Sequence, residues 1–219
     1  MTCSSCSSSC KMIAEPGKLS FFSLDSNANQ HQPSSPAFSA ILMAAMKKTK
    51  RLEIDHRLDT TAYLCLATGL LGHDGLQELC LEYPVDLEVD GAKVLAEGMV
   101  CTTCLRRLEL SGGNSPTENV CAVLLEALKR NRSLEALELC FEENDGTSLA
   151  KFLRTLQNHP NLRSLALGSR TSMSEQTMSE QGMEDYGYAV KTADWKTLRF
   201  IELHSSVGVS AGKLLRTEL

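Results

Sequence analysis

The pattern LRRLEL at residues 105–110 decides the fold, and it returns as LEALEL at residues 134–139. Two further copies, LQELCL at 76–81 and LRSLAL at 162–167, keep leucine at the same first, fourth and sixth places. Four matching segments at an almost constant interval indicate an internal structural repeat rather than a chance similarity.

The chain around these copies supports the same repeat. Looser copies at 49–54 and 198–203 flank the four, so that successive copies begin 27, 29, 29, 28 and 36 residues apart. Between the copies, apolar residues recur with helical spacing, which predicts an α-helix after each strand. These helical patterns lie at 58–71, 90–99, 120–129 and 149–156. Each repeat is therefore predicted to be a strand, a turn and a helix.

These residues resemble the leucine-rich repeat family, and the period of 28–29 residues with a helix in each unit is similar to its ribonuclease-inhibitor-like subtype. The resemblance covers about residues 49–219 and implies an α/β solenoid of about five to six repeats, with a parallel β-sheet on the concave side and helices on the convex side. The family usually places Asn or Cys three residues after the last strand leucine. Because no such residue stands there, we expect looser turns at Arg57, Pro84, Gly113, Glu142, Arg170 and Ser206.

The first forty residues have a different composition from the rest. They contain eleven serines and only two leucines, which predicts a disordered Ser/Cys-rich tail over residues 1–34. A short apolar cluster formed by Leu19, Phe21, Phe22 and Leu24 is the exception, and it is expected either to dock on the folded body or to act as a short linear motif. The repeat domain is predicted over 35–219, with an opening helix at 35–48, repeats from 49 and an insertion at about 168–194.

Charge and cysteine usage limit the kinds of partner and compartment. With 22 basic and 27 acidic side chains the formal charge is −5, which argues against a nucleic acid or an anionic membrane held by bulk electrostatics. No run of apolar residues is long enough for a membrane span, and the start lacks the pattern of a secretory signal. Nine cysteines are an odd number, and Cys65 and Cys121 lie within apolar helical patterns, so a reducing, cytoplasmic location is predicted.

The residues between the repeat leucines are expected to project from the concave sheet. The second places form a mainly basic row and the fifth places a more acidic one, and Glu109 and Glu138 face each other on neighbouring strands. Like charges in that position favour a cation between them, which suggests a partner protein with a basic segment. The candidate contact residues are Glu82, Tyr83, Arg107, Glu109, Glu138, Phe141, Glu142, Phe200 and Glu202. For Arg106, Glu135 and Arg163 the favoured interpretation is mutual neutralisation across the strands.

The resemblance implies a non-enzymatic protein-interaction module that needs no cofactor or metal. Two alternatives remain open. The Ser-rich start resembles a type III secretion signal, which would make the chain a bacterial effector that acts in a host cell through the same repeats and is delivered there without a Sec signal. The second alternative is an enzyme or a redox or metal protein that uses the C-x-x-C pair, Cys101 and Cys104.

The end of the sequence carries one further expectation. The chain stops at Leu219, within the predicted helix half of a repeat and without a polar capping unit. Because solenoids usually need a capped end, a dimer through the last repeat is expected, or poor solubility.

Overall fold

The computed structural model describes residues 8–15, 18–26, 36–55, 58–72, 75–82, 89–111, 117–141, 146–169, 184–185, 187–189, 197–204 and 217–218. Strands and helices alternate along most of this length. The strands are β1 (Ser8–Glu15), β2 (Lys18–Ser26), β3 (Arg51–Asp55), β4 (Glu78–Glu82), β5 (Arg107–Ser111), β6 (Ala136–Phe141), β7 (Ser164–Ser169), β8 (Phe200–His204) and β9 (Thr217–Glu218). The helices are α1 (Pro36–Met46), α2 (Thr60–Gly72), α3 (Val89–Cys101), α4 (Glu118–Arg130) and α5 (Gly146–Leu156).

The strands form one sheet whose spatial order is the order of the chain, from β1 to β9. Neighbours from β2 to β8 are parallel, whereas β1 and β9 pair antiparallel at the two edges. Strands β3 to β8 coincide with the six copies of the leucine pattern, and α1 lies within the predicted opening helix. The fold is the predicted α/β leucine-rich-repeat-like solenoid.

The repeat leucines form the core of the solenoid. Leu108 of β5 pairs with Leu79 on one side and Leu137 on the other, and the sixth-place leucines pair in the same register. Every first- and fourth-place residue from β3 to β8 is at least 96% buried. Because alternate residues of a strand face opposite sides, the third and fifth places face away from the leucines of the fourth and sixth. The second place lies just before each strand and is exposed or half-buried.

Successive helices pack side by side behind the sheet, α1 against α2 and so on to α5. Small residues allow the closest approach: a β-carbon added to Gly98 of α3 would lie 2.7 Å from the Cα of Ala67 in α2. Among the described residues no helix combines the length and the apolar character that a bilayer crossing requires.

The amino-terminal region differs from its prediction. Where a disordered tail was expected, β1 and β2 form an antiparallel hairpin, and β2 adds in parallel to β3. Phe22 pairs with Leu52 and Leu24 with Ile54, so LSFFSL at residues 19–24 takes the places of a further copy of the repeat pattern. Main-chain pairing with the edge of β3 supplies hydrogen bonds that the serine-rich composition does not reveal.

The turns that lead into the strands contain a series of polar side chains that the leucine pattern does not predict. Thr102, Asn131 and His159 lie three residues before the first leucine of consecutive copies, and all three are buried. The Asn131 Oδ1 atom accepts hydrogen bonds from the backbone N–H groups of Ser133 (2.9 Å) and Leu134 (2.8 Å), while its Nδ2 atom donates to the Met99 carbonyl at 2.6 Å. These side chains satisfy backbone groups that the turn would otherwise bury without partners.

The same turns are joined to one another by hydrogen bonds. Ser133 Oγ donates to the Thr102 carbonyl at 3.2 Å, and Thr197 Oγ1 donates to the His159 carbonyl at 2.8 Å. Asn161 Nδ2 donates to the Arg132 carbonyl. The turns at this edge of the sheet are therefore held in a fixed stack.

Several predicted features fall largely outside the described residues. Most of the insertion at about 168–194 is among them, as are all six places where the family would have Asn or Cys. Near the end of the sequence, where a helix half was expected, the described residues Thr217–Glu218 form β9 on the edge of β8.

Candidate partner-binding site

The outward rows of the sheet lie in register, because backbone hydrogen bonds also join the second-place residues of neighbouring repeats, just before each strand begins. The N–H of Arg106 donates to the Gln77 carbonyl at 2.7 Å, and the N–H of Glu135 donates to the Arg106 carbonyl at 2.8 Å. The same bond joins Arg163 to Glu135 and Arg199 to Arg163. With strands about 4.8 Å apart, the six second-place residues span about 24 Å.

Arg107 lies between the two carboxylates that were predicted to attract a foreign cation. Its Nη2 atom is 2.8 Å from Oε2 of Glu138 on the neighbouring strand and 3.5 Å from Oε2 of Glu109 on its own strand. The side chain of Glu109 is 14% exposed, that of Glu138 27% and that of Arg107 43%. The chain thus supplies its own cation at this place, and Glu109 and Glu138 do not need a basic segment of a partner to separate their charges.

A similar cluster lies on β3 and β4, at the same end of the strands. Arg51 reaches Glu53 on its own strand at 3.5 Å and Glu78 on the next strand at 3.4 Å. In both clusters an arginine at the third place pairs with a carboxylate on its own strand and one on the following strand. The concave face therefore carries clusters of paired opposite charges, and the smaller side chains Ala136 and Ser164 lie beside them.

Glu135 shows the mutual neutralisation that was favoured for its row. Its Oε1 atom is 3.8 Å from Nε of Arg106, and its Oε2 atom is 4.0 Å from Nη1 of Arg163. One carboxylate is thus shared by two arginines on the flanking strands, which leaves an excess of positive charge along the second-place row.

The remaining predicted contacts are described only in part. Phe200 is half-buried at the third place of β8, beside Ser164 of β7. Glu82, Phe141 and Glu202 are placed by their backbone in β4, β6 and β8, and their side chains lie outside the description. Tyr83 and Glu142 are outside the described residues. The structure therefore brings together Arg107, Glu109 and Glu138 from the predicted set.

Fewer places of the repeat are accessible on the concave face than the sequence predicted. Cys80 at the fifth place of β4 is buried, as are Ser111 and Cys140 at the seventh place of β5 and β6. The accessible part of the face is formed mainly by the second and third places.

The C-x-x-C pair lies at the end of α3 and in the turn that leads into β5. Cys101 is exposed at the last residue of α3, and Cys104 is half-buried in the following turn, with no disulfide between them. Within the described part of the chain, no group of three or more His, Cys, Asp or Glu side chains is arranged to hold a metal ion.

Comparison with known proteins gives structural neighbours only. No family model matches the sequence, and no curated protein matches it. Among solved structures, "Leiomodin-1 Actin-Binding Site 2 (ABS2)" is similar at 14% identity with a TM-score of 0.51, covering 66% of this chain and 78% of that one. The C-terminal domain of tropomodulin from Caenorhabditis elegans is also similar, at 14% identity with a TM-score of 0.49, covering 70% of this chain and 86% of that one.

Proposed function

We propose that this chain is a non-enzymatic protein-interaction module that binds a protein partner on the concave face of its sheet. The observation that carries the proposal is the in-register row of third-place side chains from Arg51 to Phe200, on six parallel strands whose backbones are already fixed. A preordered surface loses little conformational entropy when a partner binds, which favours recognition.

The structural neighbour is consistent with this function. The leiomodin-1 structure is named as an actin-binding site, and it shares the leucine-rich-repeat-like architecture. At 14% identity the likeness concerns the fold, so actin is one defined candidate to test rather than an assigned partner. The ribonuclease-inhibitor-like subtype is also a proposal, and the period of 28–29 residues with a helix in each unit supports it.

The location and the delivery route rest on the sequence alone. A cytoplasmic site of action is proposed from the cysteine pattern, and the cysteines Cys65, Cys80, Cys101, Cys104, Cys121 and Cys140 form no disulfides. Delivery into a host cell as a type III-like effector is the less favoured alternative, since its main support was a disordered start and residues 8–26 contain a hairpin.

The experiment blocks the face with two large side chains. Ala136 and Ser164 are half-buried neighbours at the third place of β6 and β7, so a variant with Ala136→Arg and Ser164→Arg obstructs the middle of the concave face. Ala44 and Ala122 are exposed on α1 and α4, and their replacement by arginine makes a control with the same change of charge on the convex side. Equal melting temperatures would establish that all proteins are folded.

The tagged full chain and both variants are then compared by quantitative affinity capture, together with co-sedimentation with filamentous actin as a defined probe. The proposal expects the concave variant to lose the specific partners that the wild type and the convex variant retain, with a loss of about tenfold or more. If all three proteins recover the same partners equally, the concave face is not the binding surface.

A further inference from the structure

The edge of the sheet where the chain enters each strand carries strong positive charge. The described turn residues at this edge are 47–50, 75–77, 102–106, 131–135, 157–163 and 197–199. They contain one acidic side chain, Glu135, against seven exposed basic ones: Lys47, Lys48, Lys50, Arg106, Arg132, Arg163 and Arg199. We name these seven residues the basic edge.

The described residues at the opposite edge have the reverse charge. Asp55, Asp59 and Glu82 end their strands or follow them there, and no lysine or arginine is described at that edge. Within the described part of the chain, charge is therefore separated along the strand direction, although the net charge of the whole sequence is −5. An anionic partner is attracted to the basic edge although the chain as a whole is acidic, because attraction at short range depends on local charge.

In the second-place row, Arg163 and Arg199 are the only two neighbours that are both basic. The N–H of Arg199 donates to the Arg163 carbonyl at 2.8 Å, which places the two residues directly opposite each other on adjacent strands. Like charges in this position repel. Among the described residues, Arg163 pairs only with the shared Glu135 carboxylate at 4.0 Å, and Arg199 forms no ion pair.

Glu135 shows what kind of group fits this edge. Its carboxylate lies between Arg106 and Arg163, two strands apart, with one oxygen directed to each. No described carboxylate does the same for Arg163 and Arg199. A carboxylate supplied by another molecule would complete the alternation of charges along the row.

The dimensions favour an extended peptide. The second-place row from Lys50 to Arg199 is about 24 Å long, which is the span of about seven or eight residues of extended chain. The described turn residues at this edge include no Phe, Tyr or Trp, and the ring of His159 is buried, so none offers an exposed ring on which a nucleic-acid base could stack. The acidic side chains Glu53, Glu109 and Glu138, only a few residues along the same strands, would also repel a polyanion that spread over the face.

We propose that the basic edge binds an acidic protein segment in an extended conformation, with carboxylates that pair with Arg163 and Arg199. This inference rests on the proposed function, since it names the chemistry of the partner and the part of the sheet that recognises it. The stacked hydrogen bonds from Asn161 to Arg132 and from Thr197 to His159 hold the edge in place before the partner binds.

The test measures binding of a fluorescein-labelled octapeptide of alternating Glu and Gly to the full chain by fluorescence polarisation, at low and at physiological salt. Arg163→Gln with Arg199→Gln should weaken binding about tenfold at low salt, because two charge contacts are removed. Lys93→Gln with Lys129→Gln changes the net charge equally on exposed parts of α3 and α4, and it should leave binding within about twofold of the wild type. Added salt should weaken wild-type binding.

Three results would overturn the inference. They are absence of peptide binding at low salt, an equal loss in the lysine control, and tighter binding of a single-stranded oligonucleotide of the same charge that also depends on Arg163 and Arg199. Affinity capture distinguishes a failure of this inference from a failure of the proposed function. If the arginine variant recovers partners as the wild type does while the variant at Ala136 and Ser164 does not, the concave face binds a partner without the acidic segment.

Discussion

Asn131 and His159 occupy equivalent positions in consecutive turns and make the same pair of hydrogen bonds with different chemistry. Oδ1 of Asn131 accepts from the N–H groups of Ser133 and Leu134, and Nδ1 of His159 accepts from those of Asn161 (3.3 Å) and Leu162 (3.0 Å). An amide oxygen accepts at any ordinary pH, whereas an imidazole nitrogen accepts only while it is unprotonated. One turn of the solenoid is thus sensitive to acid and its neighbour is not.

His159 should make the stability of the domain depend on pH. Burial lowers the pKa of His159 below its ordinary value of 6.5, the backbone of Asn131 partly opposes this, and the nearby Arg132 lowers the pKa further. Because the folded pKa is depressed, the contribution is complete above about 6.5 and is lost as the pH falls through the folded value. Thermal melts between pH 7.5 and 5 should show a decrease that is smaller in His159→Asn, which restores a permanent acceptor. An unchanged pH profile in that variant would assign the acid sensitivity to other groups.

Gly98 and Gly72 should respond to alanine in opposite directions. A β-carbon at Gly98 would meet backbone of α2 at Ala67, so we expect Gly98→Ala to destabilise the domain by about 1–3 kcal/mol in spite of the better helix propensity of alanine. At Gly72, where a β-carbon meets nothing within 4 Å, alanine should stabilise by about 0.4–1 kcal/mol. Urea unfolding of both variants checks the contrast, and a stabilised Gly98→Ala protein would show that α2 and α3 are not in close contact.

Leu108→Ala should leave a cavity in the centre of the core. Leu108 is completely buried between Leu79 and Leu137, so its truncation is expected to cost about 2–5 kcal/mol in the free energy of unfolding. Ala136→Ser, at an outward place on β6, is the matched control and should change stability by less than about 0.5 kcal/mol. A loss below about 1 kcal/mol for Leu108→Ala would contradict the inward column of leucines.

Arg107 should couple energetically to Glu138. A double-mutant cycle with Arg107→Ala and Glu138→Ala is expected to give a coupling of about 0.5–1 kcal/mol at low salt, at the upper end for a partly exposed pair because the contact is 2.8 Å. The coupling should decrease in 0.5 M salt. Zero coupling at low salt would mean that the two side chains do not hold this geometry in solution.

The leucine pattern predicted most of the fold because buried positions constrain sequence strongly. Six copies of the pattern placed β3 to β8, and alternation along each strand identified the outward rows. The copy in β2 was missed because Phe22 stands for leucine and serine dominates its surroundings. Its interval of 30 residues to Thr49 is the signal that could have revealed it.

The site was harder to predict than the fold, because the row in which a residue stands does not determine which ion pairs its long side chain forms. Glu109 and Glu138 were correctly placed opposite each other, but the register alone does not show that the guanidinium of Arg107 lies between them. Thr102, Asn131 and His159 were missed because the three residue types differ, although their spacing of 29 and 28 residues is as regular as that of the leucines.

The hairpin of β1 and β2 restricts how a fold of this kind can lengthen in evolution. A duplicated unit adds only beside a strand of matching direction, and β1 runs against the strands that follow it. Duplicated units should therefore be found between β2 and β8 in longer relatives, with the reversed strand kept outside them.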